Sequence, residues 1–310
     1  MNLVTLGGAA LRLAPRGTDR LETADAFAVD VEGAESNAAV AAGRLGAAAT
    51  WYSRLPDDPL GRRVAAELRR NDVDVAVQFA DDGRQGVTFF ERGARPREDG
   101  RVDDRADAAV ESLSFDALPS EPAAVADAAY VTGRTPTTSS SLAQATAAFL
   151  TAATDGGATT AMGLFDAEAV GTGDDEDVLE RLVPAIDVLV ATPATVEAVF
   201  DRSGEPTQVT HALASDHGFE TVALLRGQTA AVWRDSTVHE YELPAVETVD
   251  VTGAADAFAG TFLVGLHETE VQTALRRAIA ADAVAKTMPG SVPVFTRAEL
   301  DAVADTVERP

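Results

Sequence analysis

The chain has 310 residues, 46% of them hydrophobic, with 50 acidic against 25 basic side chains and a net charge of -25. That length supports a large core, as one big α/β domain or two smaller ones, and the acidic balance excludes nucleic acid and anionic membrane surfaces as partners, because both need clustered positive charge. With no cysteine, disulfides, thiolate metal sites and cysteine nucleophiles are excluded together.

In chain order, residues 3–6 (LVTL) read as a strand, 37–45 (NAAVAAGRL) as a small-residue helix ending near Gly46, and 50–55 (TWYSRL) as a second strand. Residues 59–71 (PLGRRVAAELRRN) follow as an amphipathic helix with arginines on its wet face. Strands are then predicted at 128–133, 159–165, 187–192 and 221–227, with a helix over 140–153. This alternation predicts an α/β fold, a doubly wound and mostly parallel sheet with helices on both faces. Residues 8–34 and 75–105 break the rhythm: they carry strand patterns such as QGVTFFER (85–92) without intervening helices. They are expected to form a small β-sheet lid over a site at the C-terminal ends of the parallel strands. The acidic run GTGDDED (171–177) reads as a solvated turn.

The charge has a further reading. Lys286 is the only lysine, so arginine supplies the other positive charges. A chain this acidic repels itself until salt shortens the Debye length, from about 10 Å at 0.1 M to about 3 Å at 1 M, which suits a salt-rich cytoplasm. No apolar run approaches the roughly 18 to 20 residues that span a bilayer, and MNLVTLGG lacks a signal-peptide pattern. The expected location is the cytoplasm. The four histidines show no metal-ligand spacing.

The stretch that carries chemistry is DVTGAADAFAG, residues 250–260. A turn at Thr252 and Gly253 runs into a helix whose first turn is residues 253–256, and the free N–H groups there, with the positive end of the helix dipole, suit an anion such as a phosphate. Asp256 in that turn is either a capping carboxylate or a base placed beside the anion. No P-loop, complete G-x-G-x-x-G or G-x-S-x-G is present.

The same stretch resembles the C-terminal signature, D-T-x-G-A-G-D, of the ribokinase-like (PfkB) family of carbohydrate kinases, and residues 32–64 (EGAESNAAVAAGRLGAAATWYSRLPDDPLGRRV) resemble its N-terminal signature. GAESN, VTGRTP (131–136), ERGARPR (91–97), DDRADAA (103–109) and AKTMPG (285–290) are most similar to 2-keto-3-deoxygluconate kinases. The resemblance covers the whole chain in order and implies one ribokinase-like kinase domain over 1–310. It implies ATP-dependent phosphorylation, with Mg2+, of a hydroxyl of a sugar or sugar acid such as 2-keto-3-deoxygluconate. On this reading Asp256 is the catalytic base, and the N–H groups of Gly253, Ala254 and Ala255 form the anion hole. Gly33, Asn37, Phe89 and Arg105 would meet the substrate, Arg105 through a fork suited to a carboxylate. Arg226, Gly227, Thr252 and Lys286 would lie at the nucleotide, Lys286 being equally readable as a solvated helix-end lysine. The unpaired edges of the lid suit pairing across a two-fold axis, hence a homodimer.

Several positions depart from the resemblance. Ala255 replaces a glycine, which is harmless in ordinary helix and costly at positive φ. The N-x-x-E motif that organises magnesium reads Thr192-Pro193-Ala194-Thr195, with Glu197 nearby but two residues out of phase. The D-x-N-x-R segment, expected after the strand near residue 162, lacks its arginine, and lid tyrosines are replaced by Phe89 and Phe90. The alternative reading is therefore a catalytically impaired sugar-binding or regulatory paralogue.

Overall fold

The structure is a computed structural model that describes residues 1–167, 170, 174–227, 229–242 and 245–307. Its strands, in chain order, are β1 (Asn2–Leu6), β2 (Ala10–Pro15), β3 (Phe27–Glu32), β4 (Ala48–Pro56), β5 (Val73–Ala80), β6 (Val87–Glu91), β7 (Gly100–Asp104), β8 (Ala128–Thr132), β9 (Thr159–Leu164), β10 (Val188–Ala191), β11 (Thr221–Arg226), β12 (Thr229–Arg234) and β13 (Thr237–Glu242). Nine of them make one sheet in the order β13-β12-β11-β10-β9-β8-β1-β4-β5. From β11 to β5 every pairing is parallel, and β12 and β13 add an antiparallel edge. The central strands are apolar on both faces, as double coverage by helices requires: every residue of β8 (AAYVT) and β10 (VLVA) is buried.

Helices Ala34–Arg44, Ala254–Glu268 and Val271–Lys286 cover one face, over a core that includes Leu3, Tyr130, Val190, Phe258 and Phe262. Helices Ser140–Asp155 and Pro206–His217 cover the other, over Leu6, Phe149, Leu189 and Leu213. Because β1 lies between β4 and β8, the winding direction reverses there. In such sheets a crevice opens beyond the carboxyl ends of the strands that flank the reversal.

A second sheet of four strands, in the order β3-β2-β6-β7, stands over that crevice. Leu11 and Val31 on its inner end join Trp51, Val64 and Leu68 in a third apolar cluster that anchors it to helix Pro59–Arg70. Two sequence expectations are corrected. Residues 75–80, assigned to the lid, belong to β5, which pairs with β4 at the edge of the large sheet (Tyr52 opposite Ala76); they form an edge strand that is partly exposed along most of its length. Of the supposed acidic turn 171–177, residues 174–177 open helix Asp174–Leu182. Its residues 171–173 lie outside the described residues. Among the described residues no helix is long and apolar enough to cross a membrane.

Helices Ala34–Arg44 and Ala254–Glu268 touch through their smallest residues. A Cβ built on Gly260 would stand 2.2 Å from the carbonyl oxygen of Ala38, so the contact tolerates only hydrogen at that position. Gly260→Ala gains about 1 kcal/mol of intrinsic helix propensity but overpacks the contact at a cost of roughly 1 to 3 kcal/mol. A net loss of stability, read as a lower urea midpoint with an unchanged slope, is the expected outcome; a stabilised variant would contradict the contact.

Candidate active site

The crevice is a cavity of 380 Å³ bounded by the ends of β1, β8 and β9, by the start of helix Ala34–Arg44 and by the small sheet. Asp256 stands in the first turn of helix Ala254–Glu268 and lines it. The turn before that helix needs glycine: Gly253 has φ of 80°, and a Cβ there would meet the carbonyl oxygen of Ser291 at 2.0 Å. The N–H of Ala254 turns to the Val251 carbonyl at 3.3 Å, while those of Ala255 and Asp256 have no acceptor among the described residues. Ala255 itself is ordinary helix, so its extra methyl brings no backbone strain.

Asp250 fixes the loop that feeds this helix. Its carboxylate is buried, receives Arg12 Nη2 at 2.7 Å and Arg92 Nη2 at 3.2 Å, and accepts the N–H groups of Thr252 at 3.1 Å and Gly290 at 3.3 Å. Burial alone would raise its pKa, but the Arg12 charge and the Thr252 N–H hold it below the ordinary carboxylate value. The Arg12 guanidinium also lies over the Phe90 ring, 4.1 Å from its centroid.

Helix Ala34–Arg44 supplies the facing wall. Gly33 lines the cavity, and a Cβ on it would strike the Gly8 carbonyl oxygen at 2.5 Å. Asn37 Nδ2 donates to Asp256 Oδ2 at 2.9 Å, joining residues 219 positions apart. Glu35, buried on the same wall, accepts the N–H of Thr132 at 2.9 Å and the hydroxyls of Thr132 and Thr135, each at 2.6 Å. Burial raises the Glu35 pKa against the pull of those donors. For Asp256, burial first, and then repulsion from Glu35 and Glu32, push the pKa up to about 7 despite the Asn37 hydrogen bond.

The small sheet brings an ion-pair network to the cavity, in which Arg101 and Arg105 share Glu32 and Asp103. Glu32 Oε1 receives Arg105 Nη2 at 2.6 Å and Arg101 Nη2 at 2.5 Å, and Thr88 accepts from Arg105 at 2.8 Å. Arg101, Arg105 and Arg134 all line the cavity, the last tied to Asp166 at 3.1 Å. Burial lowers the Arg105 pKa, with a further push from Arg134 and Arg101.

A second cavity, of 240 Å³, lies past Val251 on the other side of the helix start, lined by Leu225, Gly227, Val246, Phe258, Ile279, Asp282 and Lys286. Its lining is mostly apolar, with Asp282 and Lys286 as its charged members. A third, of 290 Å³, holds Pro193, Ala194, Glu197 and Arg226. Among the described residues no cluster of three or more carboxylates and histidines is placed to hold a metal ion.

A family model described as pfkB family carbohydrate kinase matches residues 2–294. The chain belongs to the pfkB family of carbohydrate kinases. It is 41% identical over 304 residues to a 2-dehydro-3-deoxygalactonokinase of Haloferax volcanii, covering 97% of this chain and 96% of that one. Its structure is similar to the crystal structure of 2-dehydro-3-deoxygluconokinase from Thermotoga maritima, with a TM-score of 0.91, 27% identity and 98% of each chain covered. The fold is also shared, at 18% identity and a TM-score of 0.84 over 98% of each chain, with a fructokinase from Xylella fastidiosa solved with bound ATP.

In this PfkB kinase the first cavity brings together Gly33, Arg105, Thr252 and Asp256, with Asn37 bonded to Asp256. Gly227 and Lys286 line the second, where Lys286 Nζ is paired with Asp282 one turn back at 2.5 Å. Two predicted residues lie elsewhere. Phe89 packs edge-on against Phe27, 6.4 Å between centroids, because strand alternation puts it on the face opposite Thr88 and Phe90. Arg226 is exposed and lines the third cavity, since it alternates with Leu225 along β11. Thr192 and Thr195 cap their own helix, Thr195 Oγ1 also donating to Leu164 O at 2.6 Å, and Glu197 lines the third cavity. Sequence reading passed over Arg101, Arg134 and Glu35. Arg101 was findable, since it shares its parity with Arg105; Arg134 and Glu35 depend on which strand ends the sheet order makes neighbours.

A raised pKa at Asp256 has two measurable consequences. If the carboxylate is the working base, kcat/KM rises about tenfold per pH unit below about pH 7 and levels above it. The stability effect has the opposite sense: between the unfolded value, 3.8, and about 7, the native state holds a proton that the unfolded chain has released, so stability falls as pH rises through that window. Asp256→Asn should therefore raise Tm more at about pH 8.5 than at about pH 5.5. An equal or reversed effect at the two pH values would contradict the raised pKa.

Proposed function

We propose that this kinase transfers the γ-phosphoryl group of ATP to a hydroxyl of a 2-keto-3-deoxy sugar acid, and that it works in a salt-rich cytoplasm. The observation that carries the reading is the pairing, in one cavity, of a carboxylate at a helix N-terminus with three arginines: Asp256 in the first turn of its helix, Arg101 and Arg105 from the small sheet, and Arg134 just after β8. Each guanidinium already has a carboxylate partner, Glu32 and Asp103 for Arg101 and Arg105 and Asp166 for Arg134; the N–H groups those pairs leave over match the fork geometry of a substrate carboxylate, which a neutral sugar lacks. The kinases of Haloferax volcanii and Thermotoga maritima named above have 2-dehydro-3-deoxy sugar acids in their names, which supports the same substrate class here.

Asp256 takes the proton of the acceptor hydroxyl as that oxygen bonds to phosphorus. Burial pushes its pKa up to about 7, and a general base is most efficient when its pKa lies near the pH at which it operates. The unengaged N–H groups of Ala255 and Asp256, at the positive end of the helix dipole, stabilise charge on the transferring group. Asn37 holds the carboxylate in place through its 2.9 Å hydrogen bond. The mostly apolar cavity lined by Gly227 and Lys286 receives the adenine, on the far side of the same helix start. Mg2+, when bound, neutralises phosphate charge; with no protein cage among the described residues, it would be held by the nucleotide phosphates and water. The small sheet acts as the lid that excludes water.

The second reading, a sugar-binding protein without efficient transfer, is favoured by one observation: Thr192 and Thr195 use their hydroxyls to cap a helix and leave no polar anchor in the N-x-x-E position. Sugar-dependent ADP release in molar KCl, across sugar acids and neutral sugars, separates the two. Turnover of a 2-keto-3-deoxy acid that falls about 10²- to 10⁴-fold in Asp256→Asn is the expected result. Binding of the acid without turnover would establish the second reading, and activity that survives the substitution would remove Asp256 as the base.

A further inference from the structure

The resemblance to 2-keto-3-deoxygluconate kinases implies an arginine a few residues after β9, in a D-x-N-x-R segment. Depending on register, residues 163–167 (Gly-Leu-Phe-Asp-Ala) or 166–170 (Asp-Ala-Glu-Ala-Val) stand there; both contain the aspartate Asp166 and neither carries the arginine. The structure shows what stands beside that aspartate. Arg134 opens the short helix Arg134–Thr138 directly after β8, the strand paired with β9, and its Nη1 lies 3.1 Å from Asp166 Oδ2. Both residues line the 380 Å³ cavity.

We propose that Arg134 is a specificity-determining residue that, with Arg105, holds the carboxylate of the acid substrate. A cation expected from the end of β9 is thereby supplied from the neighbouring strand β8. The inference rests on the sugar-acid reading above and names the groups that make the acid preferred.

Three observations support it. The Arg134 side chain is 41% exposed and Asp166 50% exposed; an ion pair that open contributes little to stability, so structure alone does not account for a guanidinium held at the cavity. Apart from the bond to Asp166, the guanidinium of Arg134 has no acceptor among the described residues, and Arg105 Nη1 likewise has none. The two charges also feel one another, since repulsion from Arg134 contributes to the lowered pKa of Arg105. Unengaged donors on two mutually repelling cations form a receptor for an anion with two oxygens, and a bound carboxylate removes the repulsion.

The test compares wild type, Arg134→Gln and Arg134→Lys on a 2-keto-3-deoxy hexonate and on its methyl ester, which keeps the shape and removes the charge. For Arg134→Gln the expected result is a KM for the acid raised about 10- to 100-fold, with a smaller loss in kcat. The loss for the ester stays well below that for the acid, and Arg134→Lys recovers part of the affinity. An unchanged KM for the acid, or equal losses for acid and ester, would overturn the assignment while leaving the sugar-acid reading intact. A wild type that phosphorylates neutral sugars and no acid would overturn both. Because the ion pair is half-exposed, the variants should melt close to wild type, and a large drop in Tm would instead mark Arg134 as structural.

Discussion

The site depends on one contact, the close approach of helices Ala34–Arg44 and Ala254–Glu268. Gly260 against the Ala38 carbonyl sets how near the two axes come, and that spacing lets Asn37 reach Asp256 across 219 residues of sequence at 2.9 Å. A larger residue at either surface would part the helices and take the carboxylate from its donor. Small residues here serve geometry: alanine and glycine give up buried apolar area so that two helix starts share one cavity.

The electrostatics follow from that placement. Burial first, and then the gathering of Glu35 and Glu32 at the same site, raises the pKa of Asp256. The cost is tolerated because neighbouring carboxylates are spoken for: Glu35 by two threonines, Glu32 by Arg101 and Arg105, and Asp250 by Arg12. Among the described residues Asp256 is left with a single side-chain donor, Asn37, which does not offset its burial. The acidic partners of Arg101 and Arg105 also aim those guanidiniums, since a cation held by Glu32 on one edge presents its other N–H groups to the cavity.

Much of this was legible in the sequence, for reasons that differ by residue. The strands showed because a doubly covered parallel sheet writes continuous apolar runs such as VLVA, and Asp256 showed because a glycine turn into a small-residue helix is a local pattern. Register and sheet order are not local. The alternation at 75–80 suits an edge strand as well as a lid strand, and only the observed pairing with β4 decides. Phe89 went astray through parity, being one residue out of step with Thr88, which accepts from the cavity-lining Arg105. Arg134 was invisible as a site residue because its significance lies in β8 being next to β9. The concern over Ala255 dissolves in a dihedral angle that sequence does not carry.

The account stands most directly on where a bound acid lies. A crystal structure with a non-hydrolysable ATP analogue and a 2-keto-3-deoxy hexonate should place one hydroxyl about 2.6 to 3.2 Å from the Asp256 carboxylate, with the acid's own carboxylate among the three cavity-lining arginines. A sugar bound with its carboxylate turned away from those arginines, or with no hydroxyl within reach of Asp256, would contradict it.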